Sequence, residues 1–269
     1  MSNKIAILTV IYENYSIVND FINSLNRQTN KDFSLYISDL SKNKKEINLP
    51  EYAKLVNSKN KGYAYGINLE IKQAIENGFS RFCIINSDVI LNNDFVENSL
   101  KSIEKNPRSI IGGKIYYAKG YEYHKDRYKV EDLGKVIWYA GGHIDWNHAT
   151  THHKGVDKVD KGEFNVFKKT DFITGCLMCF DKHVIDNIGF LNESYFLYFE
   201  DADYCEKAKR NNIALYYDPS IVIWHKNAQS TQGSGSKIHV KYQKKNQLKY
   251  GLKYAPFKTK IHLLKNYFM

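Results

Sequence analysis

The sequence predicts an α/β fold: a mostly parallel central sheet flanked by helices, with a basic helical extension at the C-terminal end. Three observations carry that expectation. Short apolar runs alternate with stretches of helical period through the first 117 residues, as in strands joined by crossover helices. The runs themselves, such as IAILTV and RFCIIN, hold few polar residues, as strands buried on both faces do. Finally, ten lysines and no acid lie from Lys226 onward, against a net charge of +10 for the whole chain.

Taken in order, residues 5–10 (IAILTV) read as a buried strand and 17–25 as an amphipathic helix. A second strand is expected at 33–38 and a short third at 53–58, after the polar loop SKNKKEINLP. Residues 66–77 look helical, with Gly78 as the stop signal. A fourth strand at 81–86 precedes a helix over 94–105 that Pro107 ends, and 109–117 forms a further strand. Residues 118–168 break the pattern, being polar and without a steady period. Their histidines (His124, His143, His148, His152 and His153) read as scattered loop residues rather than a metal set. Order resumes with an apolar strand over 171–180 (DFITGCLMCF), a helix over 201–211 and the run IALYYDPSIVIWH at 213–225. GSGS at 233–236 is a flexible segment suited to a lid or hinge, and the lysine-rich tail after it is helical in parts.

Composition sets the outer limits. A chain of 269 residues with 43% hydrophobic and 25% charged residues can bury a sizeable core. Aromatic residues reach 14%, including 21 Tyr, which suits core packing and sugar-binding surfaces alike. No signal-peptide pattern opens the chain, and no apolar stretch approaches the ~20 residues that span a bilayer. A cytoplasmic setting is expected, with peripheral contact at the inner face of the membrane. Cys83, Cys176, Cys179 and Cys205 sit in apolar or helical contexts and read as buried thiols. Tail aromatics (Tyr242, Tyr250, Tyr254, Phe257, Tyr267, Phe268) interleave with the lysines, which suits an anionic membrane surface. A plain solvated face and nucleic acid are the other readings; no nucleic-acid-binding motif accompanies the tail, so nucleic acid is not expected as a partner.

The chemistry concentrates in YFLYFEDAD at 195–203, where Glu200, Asp201 and Asp203 follow an apolar run. Carboxylates at the edge of a core imply a metal, a hydrogen-bond network or a reaction. Asp88 in FCIINSDVIL and Asp39 in LYISD repeat the placement at strand ends, where doubly wound sheets bind ligands. Neither a GxGxxG fingerprint nor a GxxxxGK[ST] phosphate loop is present.

Ordered motifs then point to one family. TVIYEN, SLNRQT, ISD, NKGYAYGIN, INSDV, AGG at 140–142, DFITGCLMCF, LNESYFLYFEDADYC and IVIWH succeed one another from about residue 5 to 250. With them the chain resembles the inverting nucleotide-sugar glycosyltransferases of family 2, which have the GT-A fold, and their bacterial rhamnosyltransferase-like branch. The resemblance implies one domain over 1–232, with a nucleotide-binding half (1–117) and an acceptor and catalytic half (118–232), and an extension over 233–269. It implies donor contacts from Thr9, Tyr12, Asp39, Lys61, Gly62 and Asn86, with Tyr12 flanking the base and Asp39 accepting the ring N–H of uracil or thymine. Gly62 and Gly66 would let backbone approach the ligand, with the following helix N-terminus facing the diphosphate. Asp88 and His225 would hold Mn2+ or Mg2+, with Asn86 standing where a full DxD has its first acid. Asp201 would be the general base and Glu200 would hold the acceptor or orient the loop. Helix capping is the alternative role for Asp201, and Asp203 falls in the first turn.

The chain departs from the family pattern at Glu13, Leu40 and Glu70. The implied reaction moves a sugar, rhamnose or another hexose, from a dTDP- or UDP-sugar to a glycan or lipid-linked glycan acceptor, as in capsule or O-antigen synthesis. Trp138 and Trp146 are expected on the acceptor side. A nucleotide-sugar-binding module with a decayed site is the non-enzymatic alternative. A sugar-phosphate nucleotidyltransferase is the other enzyme class, but TVIYEN lacks its Gly-rich, Arg-bearing loop.

Overall fold

A computed structural model describes residues 3–227 and 237–268; the GSGS segment lies outside them. In chain order the elements are β1 (Ile5–Ile11), α1 (Tyr15–Asn26), β2 (Phe33–Asp39), β3 (Ala53–Asn57), α2 (Tyr63–Glu76), β4 (Arg81–Ile85), β5 (Val89–Leu91), α3 (Phe95–Lys105) and β6 (Ser109–Tyr117). Then follow β7 (Ile137–Tyr139), β8 (Gly142–Asp145), β9 (Thr150–His153), β10 (Lys168–Lys169), β11 (Leu177–Asp181), α4 (Lys182–Ile188), α5 (Glu200–Arg210), β12 (Ala214–His225), α6 (Lys237–Tyr254) and α7 (Phe257–Phe268).

The sheet runs β10-β12-β6-β11-β4-β1-β2-β3, with β5 added on β12 and β7 on β6. β3, β2, β1 and β4 are parallel. β11 then enters antiparallel between β4 and β6, and β12 lies parallel to β6. The fold is thus the expected α/β architecture with a mixed sheet. Ile11 pairs with Asp39 at the last rung of β1 and β2. The loops that follow β1, β2 and β4 are therefore delivered to one edge, where parallel strands end together.

The strand expected over 171–180 begins only at Leu177. Its first half leaves the ladder because other groups take its amides. Ile173 N–H donates to Cys205 Sγ, Gly175 N–H to Asp201 Oδ2 and Cys176 N–H to Thr174 Oγ1. All four cysteines are buried and free, as expected.

Residues 118–168 are ordered by buried side chains rather than by a period. Glu122 accepts the N–H groups of Gly120 and Gly134. Lys114 reaches Asp160 at 2.7 Å, both side chains nearly fully buried, and Tyr117 donates to Asp157. A buried ion pair of this kind holds only because its remaining hydrogen bonds are met; Tyr116 supplies one more to Asp160.

The tail forms two helices, α6 and α7, that pack on the body. Tyr250 is fully buried, stacked on Trp146 and packed against Phe199. Leu263 of α7 lies so close to Gly251 that a Cβ there would collide with it. Lys253 pairs with Asp203 at 2.7 Å. Several tail aromatics therefore face the protein rather than an outside partner.

Candidate active site

A cleft of about 970 Å³ opens at the carboxyl edge of β1 and β4. Asp88, Glu200, Asp201 and His225 all line it, so acids distant in sequence do converge. Tyr12, Gly62 and Asn86 line it too. Past Tyr12 and Leu40 it adjoins a depression of about 620 Å³ bordered by Lys42, Lys44 and Lys59.

Asp88 and His225 are brought together by the β5–β12 pairing, which sets His225 opposite Val89. Lys226 N–H then donates to Asp88 O at 2.9 Å. His225 Nε2 stands 3.2 Å from Asp88 Oδ1, with both side chains almost wholly buried. Trp138 meets the imidazole edge-on at 4.5 Å. Among the described residues His225 Nδ1 has no hydrogen-bond partner. A buried carboxylate beside a buried imidazole is a donor set that a divalent ion such as Mn2+ could accept. Among the described residues no cluster of three or more His, Cys, Asp or Glu forms a metal site.

Glu200 and Asp201 open α5 after two successive left-handed residues, Tyr198 (φ 68°) and Phe199 (φ 71°). Non-glycine residues enter that region at a cost, so surrounding contacts must hold them. Asn246 of α6 does so, donating to Leu197 O at 2.8 Å and Tyr198 O at 3.0 Å. Phe199 occupies the N-cap position, so Asp201 is not the cap. Its Oδ2 accepts Gly175 N–H at 2.9 Å and its Oδ1 accepts Ala202 N–H at 2.8 Å. Desolvation pushes the Asp201 pKa up, opposed by those amides. Glu200 is pushed up to about 8, first by burial and then by the charge of Asp201. Its buried Oε2 has no hydrogen-bond partner among the described residues. Asp203 points elsewhere, to Lys253 and Tyr195, and is a structural strut.

Other expected donor contacts fall differently. Thr9 is fully buried and does not line the cleft. Lys61 is exposed and leans over the Tyr65 ring. Asp39 is fully buried, its carboxylate taking Tyr15 OH at 2.7 Å and Ser41 N–H at 2.8 Å; it lines neither hollow.

Gly62 (φ 108°) is needed for protein contact: a Cβ there would sit 2.5 Å from Phe196 O. Phe196 O also accepts the first amide of α2, Tyr63 N–H, at 3.0 Å. That helix start is thus partly satisfied from within. A Cβ on Gly66 would strike Val10 and Leu40, so this glycine serves helix-on-sheet packing. At the departures from the family pattern, Glu13 pins the 42–43 loop by accepting Lys42 and Asn43 N–H, and Glu70 is buried, its carboxyl pushed well up by desolvation.

Several lining residues escape sequence reasoning. Tyr63 OH donates within 3.2 Å of Asn86 Oδ1 and of Gly175 O, fixing the cleft floor. His153 joins the wall with Trp138 and Thr151, and burial lowers its pKa to about 4, leaving a neutral ring. Its Nδ1 lies 3.0 Å from Trp138 O. Phe196 and Tyr242 stack at 5.0 Å across the mouth. Trp146, expected like Trp138 on the acceptor side, does not line the cleft and stacks on Tyr250 of α6 instead. No periodicity marks His153, whereas Tyr63 lies inside the NKGYAYGIN motif and was within reach.

The family model for glycosyl transferase family 2 matches residues 6–189. A low-salt glycan biosynthesis hexosyltransferase, Agl10 of Haloferax volcanii, is 24% identical over 157 residues, covering 58% of this chain and 46% of that protein. The chain thus spans about half the length of that curated relative. A GalNAc-T7 structure with UDP, GalNAc and Mn2+ aligns at TM-score 0.63 and 12% identity, over 88% of this chain and 46% of that one. The mannosyltransferase PcManGT of Pyrobaculum calidifontis, in complex with GDP-Man and Mn2+, aligns at TM-score 0.53 and 12% identity, over 98% and 69%. The fold is therefore that of the GT-A glycosyltransferases.

Proposed function

The chain belongs to glycosyltransferase family 2, and from that premise we propose that it is an inverting glycosyltransferase using a dTDP- or UDP-sugar, with rhamnose among the candidate sugars. The observation that carries the proposal is the convergence of Asp88 and His225 with Glu200 and Asp201 in one cleft. The donor would lie with its base beyond Tyr12, toward Lys42, Lys44 and Lys59, and its diphosphate beside Asp88. Asp88 and His225 would hold Mn2+ or Mg2+, and the ion supplies charge stabilisation to the departing diphosphate.

The acceptor hydroxyl attacks the anomeric carbon as the bond to the phosphate oxygen breaks, so one displacement inverts that centre. Asp201 takes the hydroxyl proton. Gly175 and Ala202 N–H hold its carboxylate in place, which fixes the base before substrate arrives. Glu200, adjacent and easily protonated, donates a hydrogen bond to the acceptor. Trp138, Phe196 and Tyr242 offer rings for sugar faces. The acceptor is a glycan, free or lipid-linked, and the setting is bacterial surface polysaccharide synthesis at the cytoplasmic face of the membrane.

A panel of nucleotide sugars tests the reading. A dTDP- or UDP-sugar should raise Tm and be slowly hydrolysed with Mn2+, turnover stopping on chelation. With acceptor, the product's anomeric NMR coupling should report inversion. Stabilisation without any turnover would assign a binding module instead, and no stabilisation by any nucleotide sugar would end the proposal.

A further inference from the structure

We propose that the outer face of α7 docks the protein on an anionic membrane surface, with Phe257, Ile261 and Leu264 entering the lipid interface and Lys258, Lys260 and Lys265 meeting acidic headgroups. An α-helix advances about 100° per residue. Phe257, Ile261 and Leu264 therefore share one stripe, while Thr259 and Leu263 lie nearly opposite. The exposures follow this division. Leu263 and Thr259 are buried against the body, at 7% and 6%, and Thr259 donates to Trp146 O at 2.8 Å. Phe257 is 77% exposed, Ile261 42% and Leu264 39%. The inner face does the packing, and among the described residues the outer apolar stripe stays open to solvent.

The flanks identify the occupant. Lys258 and Lys265 border one side of the stripe and Lys260 the other, and no acid occurs from Lys226 onward. Apolar side chains between lysines suit an interfacial helix on anionic lipid. A second copy of the chain is a poor fit, because a twofold pairing of this face would set the same lysines against each other. A phosphate backbone would engage the lysines and leave the apolar stripe in water.

The face is also tied to the cleft. Gln247 of α6 donates to His148 O and Thr259 of α7 to Trp146 O, both at the β8–β9 turn. The same hairpin carries Thr151 and His153 into the cleft, and Lys241 and Tyr242 of α6 line its mouth. Docking through α7 would hold the acceptor wall at a fixed attitude to the lipid surface. The proposal rests on the glycosyltransferase reading only for what that surface carries, a lipid-linked acceptor.

The test is co-sedimentation of the full chain with phosphatidylcholine vesicles, with and without phosphatidylglycerol. The wild type should bind only the anionic vesicles, and added salt should weaken binding. Phe257→Ser, Ile261→Ser and Leu264→Ser together should lower the partition coefficient by about tenfold or more. Donor hydrolysis measured without vesicles should be unchanged in that variant, which separates a failure of docking from a failure of the enzymatic reading. As a second measurement, Phe257→Trp should show a blue-shifted emission with anionic vesicles only. Equal binding by wild type and triple variant, no binding by the wild type, or an unshifted Trp would each overturn the proposal. A wild-type dimer that the triple variant dissolves, with no vesicle binding, would reassign the face to self-association.

Discussion

On the proposed donor side of the cleft, Tyr12, Asn86 and Asp88 lie just past the ends of β1 and β4, and strand pairing carries much of their placement, with β5 on β12 setting Asp88 beside His225. On the proposed acceptor side, Trp138 and His153 sit on β7 and β9, but the 196–199 loop belongs to no strand and hangs on separate bonds: Asn246 to Leu197 O and Tyr198 O, and Tyr63 N–H to Phe196 O. A backbone ladder spreads its burden over many rungs, so one substitution shifts little. A side-chain clamp concentrates it, so one substitution can free a whole loop. The 196–199 loop is thus the part of the site most open to local change, while the residues just beyond β1 and β4 are held mainly by the sheet.

Three measurements can break or sharpen that contrast. The largest effect is expected at Asp201, the proposed base, which Gly175 N–H holds between the two sides. Asp201→Asn should cut sugar transfer by about a thousandfold and leave nucleotide affinity within about twofold. Residual turnover with lost nucleotide affinity would move the base role elsewhere.

Next comes the clamp. Asn246→Ala leaves two carbonyls without their donor, and such a loss costs about 1–3 kcal/mol, readable by urea unfolding. It should raise the acceptor KM while donor affinity holds. If both affinities fall together, the two walls are not separable.

The smallest effect is a pH slope. The folded pKa of Glu200, about 8, lies above its ordinary value of 4.5, so the native state holds that proton more tightly than the unfolded chain. Its contribution to stability is greatest below the ordinary value and is lost as pH rises toward the folded one. Glu200→Gln should flatten the fall in Tm across that window by a few degrees. An unchanged profile would show that Glu200 is not the buried acid described.

The same division governs what the sequence reveals. The strands and helices up to Tyr117 were legible because burial on both faces writes itself as apolar runs, and the acids beyond β4 and at the start of α5 stood out against them. Residues 118–168 were not, because their shape depends on Glu122 reaching Gly134 and Lys114 reaching Asp160, pairings that leave no local period. Residues 171–176 read as strand for the same reason: apolar composition says buried, and only Cys205, Asp201 and Thr174 decide that the ladder is abandoned there. Trp138 and Trp146 look alike in sequence and end on different surfaces. The docking of α6 did carry a signal, since Tyr242, Asn246, Tyr250 and Tyr254 recur every four residues and mark one inward-facing stripe. The lysines interleaved with that stripe make the helix look polar all round.

Asp203 grips Lys253, and Asn246 grips the residues just before α5. The start of α5 and the last pair of helices are consequently held as one structural unit. A chimaera that borrowed its C-terminal helices from another transferase to change cellular address would disturb the turn bearing Glu200 and Asp201 as well. Relocating such an enzyme and altering the carbohydrate it builds are, for this architecture, the same engineering problem.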